Sequence, residues 1–142
     1  MESANQSTRV LVVDDNADLR LGVQLMLERA GYEVATAANG VQALELLRGA
    51  PAEVLLTDIF MPEADGLETI ERCRKEFPRM KIVAMSGGGD TIRSARYLST
   101  AEVAGADAML PKPFGAAVLL ETLRSLAAAR QQGDSRHEDW KQ

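Results

Sequence analysis

Apolar residues fall in five short runs, and between the runs they recur at helical spacing. Val10-Leu11-Val12-Val13 is continuous and largely β-branched, the pattern of a strand covered on both faces, and it stops at Asp14-Asp15. From Asn16 the period changes: Leu19, Val23, Met26, Leu27 and Ala30 share a helical face, which Gly31 closes as a C-cap. Glu33–Ala37 is a weaker strand before the turn at Asn39-Gly40. Val41, Ala43, Leu44 and Leu47 mark a short helix that Gly49 and Pro51 terminate. The third run, Val54-Leu55-Leu56, ends in Asp58, after which Pro62 breaks the chain and Asp65-Gly66 turns it. A helix carrying Leu67, Ile70, Glu71 and Arg74 leads to Phe77-Pro78. Residues 81–85 form the fourth strand, ending at Ser86 and Gly87-Gly88-Gly89. A helix is expected within residues 91–104, on Leu98, Ala101 and Val103. Ala108-Met109-Leu110 is the fifth strand and runs into Pro111-Lys112-Pro113. A last helix over residues 115–130 buries Val118, Leu119, Leu123 and Leu126.

Strands alternating with helices predict an α/β fold: a doubly wound, five-stranded parallel sheet with helices on both faces. The expected organisation is a loose lead-in over residues 1–8, one domain over residues 9–130, and a frayed polar tail over residues 131–142. In open sheets of this kind, sites form outside the carboxyl ends of the strands. The polar residues obey that rule. Asp14 and Asp15 follow the first strand, Asp58 ends the third, Ser86 ends the fourth and Lys112 follows the fifth.

Composition narrows the classes. The 142 residues are 46% hydrophobic and 26% charged, with a formal charge of −5, which disfavours non-specific nucleic-acid binding. The single cysteine, Cys73, forms no internal disulfide and points to a reducing compartment. Nothing in the sequence spans a membrane or resembles a signal peptide, so a cytoplasmic protein is expected. His137 and Trp140 lie in the polar tail, His137 read as solvated and Trp140 as packed loosely or not at all.

Each polar residue has a plainer role available. Asp14-Asp15 suits either the cap of the helix starting near Asn16 or a hard divalent cation such as Mg²⁺, and both remain open. Ser86 alone is a turn hydroxyl, and Lys112 alone is a surface residue between prolines. Convergence on one rim favours a shared site. The triglycine run lacks the spacing and lysine of a nucleotide-binding loop.

The set Asp14-Asp15, Asp58, Ser86 and Lys112-Pro113-Phe114 resembles the receiver domain of two-component response regulators. Asp58 stands 43 residues after Asp15, and Met61-Pro62, Asp65-Gly66 and Gly105-Ala106-Asp107 add to the likeness. The resemblance implies a flavodoxin-like sheet of order 2-1-3-4-5. It makes Asp58 the phosphoacceptor for a histidine kinase or phosphotransfer protein. Asp14, Asp15, Asp58 and the Phe60 backbone carbonyl would bind Mg²⁺, Lys112 and Ser86 would attend the phosphoryl group, and the Lys112–Pro113 bond would be cis. The implied output is a protein partner on the face of the fourth helix, fifth strand and fifth helix, in a monomer or phosphorylation-dependent dimer, without nucleic acid or membrane.

Departures from the family qualify how the signal leaves. Met109 stands where many receivers carry a switching aromatic, with Tyr97 as a substitute from the neighbouring helix. Ser86 and Lys112 are 26 residues apart, longer than typical, and Phe60 would shield an acyl phosphate. Twelve residues follow residue 130, too few for an output domain, so a stand-alone receiver or an excised piece is expected. The expected protein is a signalling module that catalyses only its own phosphorylation and dephosphorylation. The alternatives are a phosphorylation-independent interaction domain and, with less support, a small hydrolase.

Overall fold

A computed structural model describes residues 8–59, 66–86 and 104–141, with side chains of the last helix described to Ala128. Its elements run β1 (Arg9–Val13), α1 (Ala17–Arg29), β2 (Glu33–Ala37), α2 (Gly40–Gly49), β3 (Val54–Asp58), α3 (Gly66–Glu76), β4 (Lys81–Ser86), β5 (Ala108–Pro111) and α4 (Ala116–Lys141). All strand pairs are parallel, and the sheet order is β2-β1-β3-β4-β5. This is the doubly wound sheet expected from the alternation of apolar runs and helical periods. The helix expected within residues 91–104 lies almost wholly outside the described residues, so the helix anticipated as fifth is α4 here.

The continuous apolar runs are explained by two cores. Leu11, Val13, Leu55, Ile82 and Ala84 meet α2 and α3 on one face, with Leu44, Leu47 and Ile70. Val10, Val12, Leu56, Val83 and Met85 meet α1 and α4 on the other, with Leu27, Leu119 and Leu123. Alternate residues of each central strand therefore serve opposite cores, and neither face can be polar. Each large aliphatic side chain buried here contributes about 1.5–3 kcal/mol.

Two expectations change. Val118, expected to be buried, is 53% exposed and stands outside the face that α4 buries, as Val41, at 60%, does on α2. In α2 the buried set is Gly40, Ala43, Leu44 and Leu47. The last helix does not stop near residue 130: its backbone is helical to Lys141, through the stretch expected to fray. The run Ala127-Ala128-Ala129-Arg130-Gln131-Gln132 consists of strong helix formers, which carry the helix past Gly133 despite a cost of about 1 kcal/mol for glycine.

A clasp holds the sheet at the amino ends of β4 and β5. Arg74, on α3, donates to the carbonyls of Gly105, Pro78 and Met80 and pairs with Asp107 at 2.6 Å. Asp107 in turn accepts from the Ile82 amide at 2.8 Å. Gly105 has φ +127°, and a side chain there would be strained and would press on Arg74.

Candidate functional site

Strand register assembles the site. Val13 pairs with Thr57, so the next residues, Asp14 and Asp58, emerge side by side. Asp58 pairs with Met85, which places Ser86 one step beyond, and Ser86 pairs with Pro111, which delivers Lys112. Two backbone bonds extend these ladders past the strand ends: Ile59 N–H to the Met85 carbonyl at 3.1 Å, and Lys112 N–H to the Ser86 carbonyl at 2.6 Å. The five polar residues share one rim because each lies at the last paired position of its strand or within two residues beyond it.

Asp14, Asp58 and Ser86 are buried, whereas Asp15 is exposed. One carboxylate oxygen from each of Asp14, Asp15 and Asp58 lies within 4.8 Å of the other two. Lys112 Nζ stands 3.1 Å from Asp14 Oδ2 and 3.5 Å from Asp58 Oδ2, with its side chain 16% exposed. Three carboxylates facing one lysine leave an excess of negative charge, and buried charge of one sign is costly without a cation. The donor set consists of hard oxygens, one pointing to solvent, which suits a Mg²⁺ ion that keeps several waters. Ser86 Oγ is buried and has no hydrogen-bond partner among the described residues. A buried hydroxyl at the mouth of a site is available to an incoming acceptor.

The cap reading of Asp14-Asp15 fails. Asn16 is the N-cap of α1, its side chain accepting from the Leu19 amide at 3.1 Å, so neither aspartate is needed there. Asp14 Oδ1 instead accepts from the Asn16 amide at 2.9 Å. At the other end of the site the Lys112–Pro113 peptide is cis. Gly66 opens α3 against the strand end, where a side-chain carbon would overlap the Asp58 carbonyl oxygen and the Ile59 Cα. Only glycine permits that approach.

A model of the response regulator receiver domain matches residues 10–124. The chain belongs to the response regulator receiver family. The response regulator MprA of Mycobacterium ulcerans is 35% identical over 120 residues, 84% of this chain and 50% of that protein. The receiver therefore spans about half the length of the curated relatives it matches. Among solved structures, a CheY-like receiver domain protein from Methanospirillum hungatei has a TM-score of 0.80 at 29% identity, covering 89% of this chain and 98% of that one. CheY4 of Vibrio cholerae has a TM-score of 0.74 at 33% identity, covering 84% and 98%. NtrX from Brucella abortus has a TM-score of 0.83 at 27% identity, but the receiver covers only 29% of that chain.

The structure brings Asp14, Asp15, Asp58, Ser86 and Lys112 of this receiver together. Met109 is half-buried and packs against the core beneath α2 and α3. Phe60 and Tyr97 lie outside the described residues. Cys73 is fully buried, and burial, with a smaller contribution from nearby Glu76, pushes its thiol up to about 11, as befits a structural residue. Among the described residues no helix is long and apolar enough to cross a membrane.

Sequence reasoning missed three contributors. Thr57 Oγ1 donates to the Asp58 carbonyl at 3.1 Å, the Asn16 amide holds Asp14, and Arg20 Nη1 donates to the Asp14 carbonyl at 2.7 Å. Each works through the main chain, so no pairing of residue types announced it.

Proposed function

We propose that this receiver accepts a phosphoryl group on Asp58 from the phosphohistidine of a histidine kinase or phosphotransfer protein, and that the modification biases a protein-binding surface. The observation that carries this reading is the Asp58 carboxylate at the strand end, between two further acids and Lys112. A carboxylate oxygen of Asp58 attacks phosphorus, the P–N bond breaks, and the imidazole leaves with the electron pair. Phosphoryl transfer is mostly positioning and charge neutralisation, and the rim supplies both. Lys112, already 3.5 Å from Asp58, offers its ammonium to a phosphoryl oxygen, and Ser86 Oγ donates to another.

Asp14, Asp15 and Asp58 would hold Mg²⁺, with the Phe60 carbonyl as a further ligand. When bound, the ion neutralises charge shared between carboxylates and phosphoryl oxygens. The added charge of about −1.5 to −2 is the switch signal. Ser86 and Lys112 turning towards it would reset β5 and the segment at residues 91–104, with Met109 and Tyr97 as relays. The output surface is then that segment with β5 and α4, engaged by a protein in a monomer or phosphorylation-dependent dimer. Hydrolysis of the aspartyl phosphate ends the signal.

Incubation with acetyl phosphate and Mg²⁺ followed by intact mass tests the proposal. One phosphoryl adduct is expected, absent in Asp58→Asn and absent with EDTA. Lack of an adduct with acetyl phosphate and with a phosphorylated kinase domain would instead support a phosphorylation-independent interaction domain.

A further inference from the structure

We infer that Arg20 is a positioning residue for the acidic rim, holding the turn that carries Asp14 and Asp15; this rests on the reading of those residues as a Mg²⁺ site. Asp14 lies one step beyond the end of β1. Its amide donates to the Ala37 carbonyl at 3.2 Å, its Oδ1 accepts from the Asn16 amide at 2.9 Å, and its Oδ2 faces Lys112 at 3.1 Å. The remaining group, the carbonyl, is taken by Arg20 Nη1 at 2.7 Å. A fully buried aspartate thus has both main-chain groups and both carboxylate oxygens engaged. Asp15 has an exposed side chain but sits between Asp14 and Asn16, both fixed, so its direction is set by the backbone on either side.

Arg20 stands where two electrostatic influences oppose each other. It occupies the first turn region of α1, four residues after the Asn16 cap, where the helix dipole disfavours a cation. Asp14, Asp15 and Asp58 outnumber Lys112 and compensate for it. Arg20 could therefore affect Mg²⁺ in two opposed ways. As mere positive charge beside the acids it would weaken the ion's binding, and removing it would strengthen binding. As the support of the Asp14–Asn16 turn it would strengthen binding, and removing it would weaken binding. The saturation of Asp14 by short, directed bonds favours the second.

The test is calorimetric titration of the full chain with Mg²⁺ for the parent, Arg20→Ala and Arg20→Lys, with amide hydrogen exchange at Asn16 measured in EDTA. Loss of an outer-shell support typically weakens metal binding by 10-fold or more, so Arg20→Ala is expected to raise the Mg²⁺ Kd about 10-fold. Its Asn16 amide should lose protection as the turn loosens. Arg20→Lys keeps the charge and one donor and should fall between the two; should Arg20→Ala fail to fold, the lysine variant carries the test. Mg²⁺ binding by either folded variant as tight as the parent's, or tighter, overturns the inference. A parent that does not bind Mg²⁺ refutes the metal reading instead, and Asn16 exchange then decides the role of Arg20 by itself.

Discussion

Removing one of the carboxylates that make this site should make the protein more stable when no metal is present. Asp15 is the residue to change, because it is exposed and its substitution opens no cavity. Its carboxylate lies within 4.8 Å of those of Asp14 and Asp58, while Lys112 pairs with those two. At that separation two like charges repel by about 0.9 kcal/mol in water-like surroundings, and more where the walls exclude water. Two such repulsions act on Asp15, and attraction to the more distant Lys112 and screening by salt offset part of them. Asp15→Asn should therefore gain about 0.5–1.5 kcal/mol in the absence of metal.

With Mg²⁺ the order should reverse. A ligand that binds only the folded state stabilises it by about 2.7 kcal/mol at 100 times its Kd. The parent should gain on that scale and the variant should gain little. Urea denaturation followed by circular dichroism, in EDTA and in saturating Mg²⁺, measures all four stabilities. A variant no more stable than the parent in EDTA would show that the acids are not in conflict. An equal gain from Mg²⁺ in both proteins would show that Asp15 is not a ligand. Either result refutes this account of why the acids are clustered.

Further consequences concern the scaffold. Gly66→Ala should cost about 1–3 kcal/mol or more, because the added carbon overlaps the Asp58 carbonyl and Ile59, and should lower the yield of phosphoryl adduct by displacing the β3 end. Arg74→Ala should cost about 2–3 kcal/mol by urea denaturation, since three carbonyls and Asp107 lose a charged donor, those of Gly105 and Met80 at part-buried positions. The exposed Arg48–Glu76 pair provides a contrast, and Arg48→Ala should shift the midpoint little. Cys73 should resist thiol reagents at neutral pH and react at a rate that follows unfolding. Because burial raises its thiol from 9.0 to about 11, the unfolded chain ionises first as pH rises. Its contribution is complete below pH 9.0 and is lost as pH climbs towards about 11, a loss that Cys73→Ala should lack.

The sheet and the rim were legible because both rest on identity repeated at fixed intervals. Apolar runs broken at Asp14, Asp58 and Ser86 mark the strand ends, and in a parallel sheet the strand ends share one edge. Amphipathic detail was less legible: Val41 and Val118 fit the helical period, yet stand at the margin of faces already filled by Ala43, Leu44, Leu119 and Leu123. The outer support of the site was not legible at all. Asp14 and Lys112 advertise each other by opposite charge, whereas Arg20 answers a carbonyl, and Arg74 answers three. A carbonyl belongs to every residue, so nothing in the chain's lettering says which one an arginine will find; only the path of the backbone decides it. The residues that bear the chemistry can therefore be read from sequence, while those that hold the chemistry in place emerge when the fold shows which carbonyls its strands and turns have left unpaired.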